Sequence, residues 1–181
     1  MLKLKGNLCF LRALEPRDLE FLYKIENDTS VWEISGTTAP YSKHILKQYL
    51  NNAHKDIYEA KQLRLVICDY DDRAIGLIDL FDFDPKNHRA GLGVIILAEG
   101  DRNKGVGTEA ISLVTDYAFS ILELHQVYAN VMAGNKASIH LFTKLGFARV
   151  GTKRHWIYSN GEFKDEILFQ KLSDQCISEK L

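Results

Sequence analysis

The chain has 181 residues, a length at which one domain can bury about 70% of the surface its unfolded form exposes, with no disulfide or metal needed as a staple. Residues that are 46% apolar and 26% charged argue against disorder, and 23 basic against 24 acidic side chains, a formal net charge of −1, argue against a basic nucleic-acid binder. No stretch approaches the roughly 18 apolar residues of a membrane span, and residues 1–10 lack the apolar core of a signal peptide, so the expected protein is cytoplasmic with no membrane or nucleic-acid partner.

In chain order, residues 8–14 are a short apolar run broken by Arg12. Pro16 then stands near the first turn of a helix whose inner face carries Leu19, Leu22 and Ile25. Residues 26–41, rich in Asn, Asp, Thr, Ser, Gly and Pro, read as a packed loop, and residues 42–58 read as one helix with Ile45, Leu46, Tyr49 and Leu50 as its apolar stripe. Residues 63–70 and 74–83 are β-rich runs separated by Asp71, Asp72 and Arg73, a hairpin pattern, and a third strand follows over 89–97. Helical spacing returns at Ala110, Ile111, Val114, Ala118, Ile121 and Leu122. A strand over 127–132, a short helix over 138–144 closed by Gly146, and strands over 147–150, 155–159 and 162–172 complete the order, the last two joined at Asn160 and Gly161. The whole reads as one domain, with its core over 8–172 and a tail over 173–181. Cys9, Cys68 and Cys176 have no paired spacing and form no zinc cluster with the histidines, so no metal is expected and the thiols read as buried or incidental.

The segment Arg102, Asn103, Lys104, Gly105, Val106, Gly107 and Thr108 lies between a strand and a helix. A helix N-terminus offers backbone N–H groups without intrahelical partners, and adjacent glycines let a phosphate approach that backbone. The segment lacks the Gly-Lys-Ser/Thr of nucleotide hydrolases and the Gly-x-Gly-x-x-Gly of dinucleotide folds. Its plainer reading is a glycine-containing connection. Arg-x-x-Gly-x-Gly in this setting resembles the coenzyme A motif of the GNAT superfamily of N-acetyltransferases. Downstream, Asn135, Lys136, Ala137, Ser138 and then Lys144, Leu145, Gly146 and Phe147 are similar to a second motif of that superfamily. Residues 26–35 and 160–165 resemble the branch of ribosomal-protein N-terminal and spermidine acetyltransferases.

The resemblance implies an α/β (α+β) fold with a mixed, mostly antiparallel twisted sheet of six or seven strands and about four helices. It implies acetyl-CoA as donor and direct attack by a primary amine, with a peptide N-terminus or a polyamine as acceptor and a homodimer as an expected assembly. The diphosphate would lie over residues 102–108, pantetheine beside Ile95, Ile96 and Leu97, and Asn135, Ser138 and Lys144 would complete the coenzyme site. Asn135 is equally a helix cap. The family's usual tyrosine acid is replaced by Phe142, which leaves Ser138 as the substitute acid or thiol contact. The family's acidic residue near Gly91 and Leu92 is absent, and Asp79 is the favoured alternative for binding or deprotonating the amine. Asp82, Trp32, Glu33, Trp156 and Tyr158 are expected to wall the acceptor pocket, their plainer reading being packing or solvated charge. Phe142 and Gly91 also motivate a rival, an acyl-CoA-binding module without turnover.

Overall fold

The computed structural model describes residues 4–173. Seven strands, β1 (Phe10–Ala13), β2 (Leu63–Cys68), β3 (Ala74–Asp84), β4 (Arg89–Ile96), β5 (Gln126–Met132), β6 (Ala148–Ser159) and β7 (Glu162–Leu172), form one sheet in the order β1-β2-β3-β4-β5-β7-β6. Every neighbouring pair is antiparallel except β4 and β5. Six α-helices accompany the sheet among the described residues: α1 (Leu19–Glu26), α2 (Thr29–Ser35), α3 (Lys43–Asn51), α4 (Ile57–Ala60), α5 (Val106–Ser120) and α6 (Lys136–Lys144).

Side chains alternate across a strand, so the sheet sorts its residues into two layers. On one face Ile67, Ile78, Leu80, Leu92, Val127 and Phe169 pack with Ala110, Ile111, Val114 and Ala118 of α5. On the other, Val66, Cys68 and Leu77 pack with Leu22 and Ile25 of α1 and Leu46 of α3. Cys9 and Cys68 are buried free thiols, whereas Cys176 lies outside the described residues. No helix among the described residues is long and apolar enough to cross a membrane.

Three local expectations are corrected. The loop expected over 26–41 contains α2, because the Asp28 carboxylate accepts the Ser30 N–H at 2.9 Å to start it and Gly36, at φ +71°, ends it. The helix expected over 42–58 stops at Asn51 and restarts as α4 behind an Asp56 cap, which with α2 raises the expected four helices to six. The strands expected over 147–150 and 155–159 are one strand, β6, which keeps pairing with β7 by shifting register at two places.

The break in antiparallel order shapes the functional end. β4 and β5 pair only at Arg89↔Gln126, Ala90↔Val127 and Gly91↔Tyr128. Beyond these positions β4 stays with β3 and β5 stays with β7. The two central strands therefore part into a wedge, and the chain leaving the end of β4 leads into the glycine turn before α5.

Candidate functional site

The turn is built by local backbone geometry. Asn103 at φ +60° and Gly105 at φ +86° bring the chain into α5, and Gly105 is the helix cap with no side chain over the free N–H groups. A Cβ at Gly107 would meet Leu141 Cδ1 at 3.5 Å, an ordinary van der Waals contact, so α6 packs beside the first turn of the helix without crowding it. Arg102 donates from Nε to the Ile96 carbonyl at 3.0 Å and from Nη2 to the Leu97 carbonyl at 3.2 Å. Its side chain thus fastens the turn to the end of β4 while its charge stays at the surface. Asp101 accepts Arg73 at 3.0 and 3.1 Å, tying the turn to the β2–β3 hairpin. Lys104 is exposed, Val106 is buried under the helix, and Thr108 is half-buried in its first turn.

Across the wedge, Asn135 caps α6 by accepting the Ser138 N–H at 3.0 Å, the plainer of its two expected roles. The cap uses the Oδ1 of the side-chain amide. Ser138 is half-buried in the first turn of α6. Lys144 is exposed in the last turn of α6, where its charge suits the helix C-terminus, and no hydrogen bond or ion pair among the described residues joins it to the glycine turn. Ile95 and Leu97 pack toward α1 and α3 while Ile96 packs toward α5, as strand alternation requires. Phe142 is 4% exposed, with ring centroids 5.1 Å from Phe147 and 6.0 Å from Phe169. It is a core ring.

On the face that carries α1, α2 and α3, the expected base is already engaged. Asp79 is bound at both oxygens by Arg64, at 2.7 and 2.9 Å, and the same guanidinium reaches Glu26 at 2.5 Å and lies over the Tyr49 ring. Asp79, expected to bind or deprotonate the amine, is thus held in a two-point ion pair with Arg64. Gly91 lacks a side chain for a visible reason: a Cβ there would sit 2.3 Å from Phe81 Cε2. The Phe81 ring lies over that floor and meets Tyr128 edge-on at 6.1 Å.

The expected acceptor wall divides. Glu33 on α2 pairs with Lys164 on β7 at 2.5 Å, so these two elements meet across the open face. Trp32 is half-buried and donates from Nε1 to the Glu26 carbonyl at 2.8 Å. Trp156 lies under the Lys153 ammonium at 4.9 Å. Tyr158 pairs with Phe163, while its neighbour Ile157 pairs with Lys164, so alternation turns Tyr158 to the side of the hairpin away from Glu33. Asp82 is exposed at a register shift between β3 and β4, at φ +48°. With Asp84, Arg89, Gln126, Tyr128, Leu168 and Gln170 it lines a cleft of about 620 Å³ that begins at Tyr128, the last paired position of the wedge. Burial, and then the Asp82 carboxylate, push the Tyr128 phenol up.

Sequence reasoning passed over Tyr128, Phe81, Arg64 and Glu26. The alternation of β5, with Val127, Ala129 and Val131 buried, was the available signal that Tyr128 faces the open side.

A wedge between two parallel strands, closed at its wide end by a glycine turn on a helix N-terminus, suits a long thioester with a diphosphate. A family model described as an acetyltransferase (GNAT) domain matches residues 9–148. The chain belongs to the GNAT acetyltransferase family. It is 30% identical over 169 residues to the spermidine N(1)-acetyltransferase of Escherichia coli K12, covering 93% of this chain and 88% of that protein. Identity is also 30% over 179 residues to a putative ribosomal N-acetyltransferase of Bacillus subtilis, covering 94% of each. The crystal structure of spermidine N-acetyltransferase from Vibrio cholerae in complex with CoA and spermine superposes with a TM-score of 0.85 at 27% identity, over 95% of this chain and 99% of that one.

This GNAT protein is therefore an acetyl-CoA-dependent N-acetyltransferase, and its mixed, mostly antiparallel seven-stranded sheet is the expected one. The N–H groups beyond Gly105, which no side chain caps, fit an anionic diphosphate.

Proposed function

We propose that the acceptor is a polyamine or diamine, acetylated at a primary amine. The observation that carries this reading is charge on the open face. Glu26, Asp79, Glu33, Asp82, Asp84 and Glu166 outnumber Arg64, Lys164, Arg89 and Lys153, and no cation lies within ion-pair distance of Asp82 among the described residues. A surplus of carboxylates around a cleft raises the local concentration of a polycation. The spermidine acetyltransferases among the relatives support the same choice.

The donor supplies an activated thioester. The amine nitrogen, having lost a proton to solvent water in the cleft, bonds to its carbonyl carbon, the carbon–sulfur bond breaks, and the sulfur leaves as a thiolate that takes up the proton shed by the new amide nitrogen, a departure that a free thiol pKa of about 8.5 makes tolerable without a strong acid. Phe142 has no proton to give. Ser138, in the first turn of α6, is the hydroxyl assigned to the sulfur, and Asn135 Nδ2 is assigned to the pantetheine arm. Residues 102–108 hold the diphosphate, and the β4 backbone near Ile96 lies beside the thioester. Tyr128 and Asp82 receive the acceptor ammonium where the wedge meets the cleft.

Acetyl-CoA turnover across spermidine, spermine, short diamines and N-terminal peptides tests this. The expected result is turnover on the polyamines, with Asp82→Asn raising their KM about tenfold through loss of a charged contact while acetyl-CoA KM stays unchanged. Turnover confined to N-terminal peptides would favour the second reading, which the Bacillus ribosomal relative motivates. Association of several copies belongs to the same reading, because a spermidine N-acetyltransferase from Vibrio cholerae is dodecameric; sedimentation of the purified protein tests it.

A further inference from the structure

Glu109 stands in the first turn of α5, beside the turn to which the diphosphate was assigned, and none of the roles above uses it. Its carboxylate accepts three backbone N–H groups from residues about a hundred positions away: Asn7 at 2.6 Å, Leu8 at 2.7 Å and Cys9 at 2.9 Å. The same short segment closes on itself through Gly6 N–H to the Cys9 carbonyl at 2.8 Å. The Tyr70 hydroxyl donates to the Gly6 carbonyl and the Cys9 thiol to the Val106 carbonyl. Leu8 lies on the turn itself, with its Cδ1 3.1 Å from where a Cβ at Gly105 would be. Residues 6–9 therefore form a wall beside the glycine turn, and Glu109 is the post that holds it.

A bare carboxylate in the first turn of α5 would repel a diphosphate at the helix N-terminus. Here three N–H dipoles point at that carboxylate from the side of the N-terminal segment. Burial would raise its pKa, but the N–H groups of Asn7, Leu8 and Cys9 outweigh burial, so the group is held below the usual carboxylate range and is ionised at neutral pH.

We infer that Glu109 is a positioning residue for acetyl-CoA, clamping residues 6–9 against the first turn of α5 so that they complete the diphosphate turn. The inference rests on the assignment of that turn to the diphosphate.

Two variants of the full chain separate a clamp from a mere charge. Glu109→Gln removes the negative charge and sets an amide NH2 against N–H donors. Gly6→Ala keeps the charge but puts a Cβ 2.1 Å from the Glu109 carboxyl carbon, which forces the carboxylate off its partners. Calorimetric titration with acetyl-CoA, and steady-state kinetics with an accepted amine, are the readouts. For a clamp, both variants raise the Kd and KM for acetyl-CoA about tenfold, the scale of one or two lost charge-assisted hydrogen bonds, and leave kcat within about twofold. If only charge mattered, Glu109→Gln would bind acetyl-CoA more tightly. Tighter or unchanged binding, or loss of thermal stability with KM unmoved, overturns the clamp. Hydrogen exchange on the wild-type protein gives an answer even where neither variant folds: acetyl-CoA must slow exchange at Asn7, Leu8 and Cys9, and unaltered exchange there overturns the inference. A wild-type protein that does not bind acetyl-CoA overturns the turn assignment itself, a different failure from binding that neither variant changes.

Discussion

Gly107 and Phe142 mark opposite packing situations, a position beside a helix N-terminus that tolerates an added Cβ and a core ring that fills space. At Gly107 an added Cβ makes ordinary contact with Leu141 Cδ1 at 3.5 Å, so Gly107→Asp meets no backbone clash at its first side-chain atom. It places a carboxylate where the diphosphate needs positive potential. Its expected effect is a loss of acetyl-CoA affinity of at least about tenfold with the circular dichroism spectrum unchanged; unchanged affinity in a folded variant would falsify the site assignment. Phe142→Ala removes a ring packed on Phe147 and Phe169 and is expected to cost about 3–5 kcal/mol in urea unfolding. A small cost there would mean the ring is not the core element its burial indicates. Asp79 teaches the reverse lesson about reading single residues: an acid on a strand near a substrate cleft is a base only if no neighbour has claimed it, and Arg64 has claimed both oxygens.

Among the elements, β1 and α1 are joined by Arg12 and Asp18. Asp18 is 3% exposed and accepts two Arg12 N–H groups at 2.8 Å together with the Glu15 N–H at 2.7 Å. Burial works to raise its pKa, but the Arg12 and Glu15 hydrogen bonds prevail and hold it below the ordinary carboxylate value. A folded-state pKa below the unfolded one means the native state binds fewer protons. The contribution is therefore complete above the unfolded value of about 3.9 and is lost as the pH falls through the folded one. Urea midpoints should fall as the pH drops below about 4, the unfolded carboxylate value, and Asp18→Asn should flatten that limb while lowering stability at neutral pH. An acid limb as steep in the variant as in the wild type would remove Asp18 as its source. α2 escaped the reading because it is short and capped by Asp28 inside a stretch whose composition is that of a loop, and α4 because the helical pattern of residues 42–58 concealed the break before its Asp56 cap. The strand pattern of β5 and the glycine turn before α5 were legible because both are set by residues adjacent in the chain.

Across the whole molecule, one sheet separates the glycine turn on the α5 side from an acidic face on the α1–α3 side, and the wedge between β4 and β5 connects them. Ligand binding at the wedge must therefore stabilise the fold as a unit. Acetyl-CoA at about a hundred times its Kd should add about 2.7 kcal/mol and raise the Tm with concentration, whereas a polyamine alone should shift it less. Thermal scans with each ligand separately and together check this, and a Tm that does not respond to acetyl-CoA removes the donor site from the wedge.

The sequence by itself determined the periodic strands and the helix of α5, the glycine turn and its companion motif, and with them the family, the donor and the reaction class. These depend on dihedral preferences and hydrogen bonds within a few residues, which neighbouring side chains dictate. Only the tertiary structure decided which carboxylates are engaged: Asp79 by Arg64, Glu33 by Lys164 and Glu109 by the backbone of residues 7–9, leaving Asp82 to face the cleft with Tyr128. Those pairings join positions between 15 and 131 residues apart. They are fixed by strand register, by helix docking and by where the two central strands part, and a one-residue change in register would turn the strand residues among them, such as Arg64, Asp79 and Lys164, to the other face.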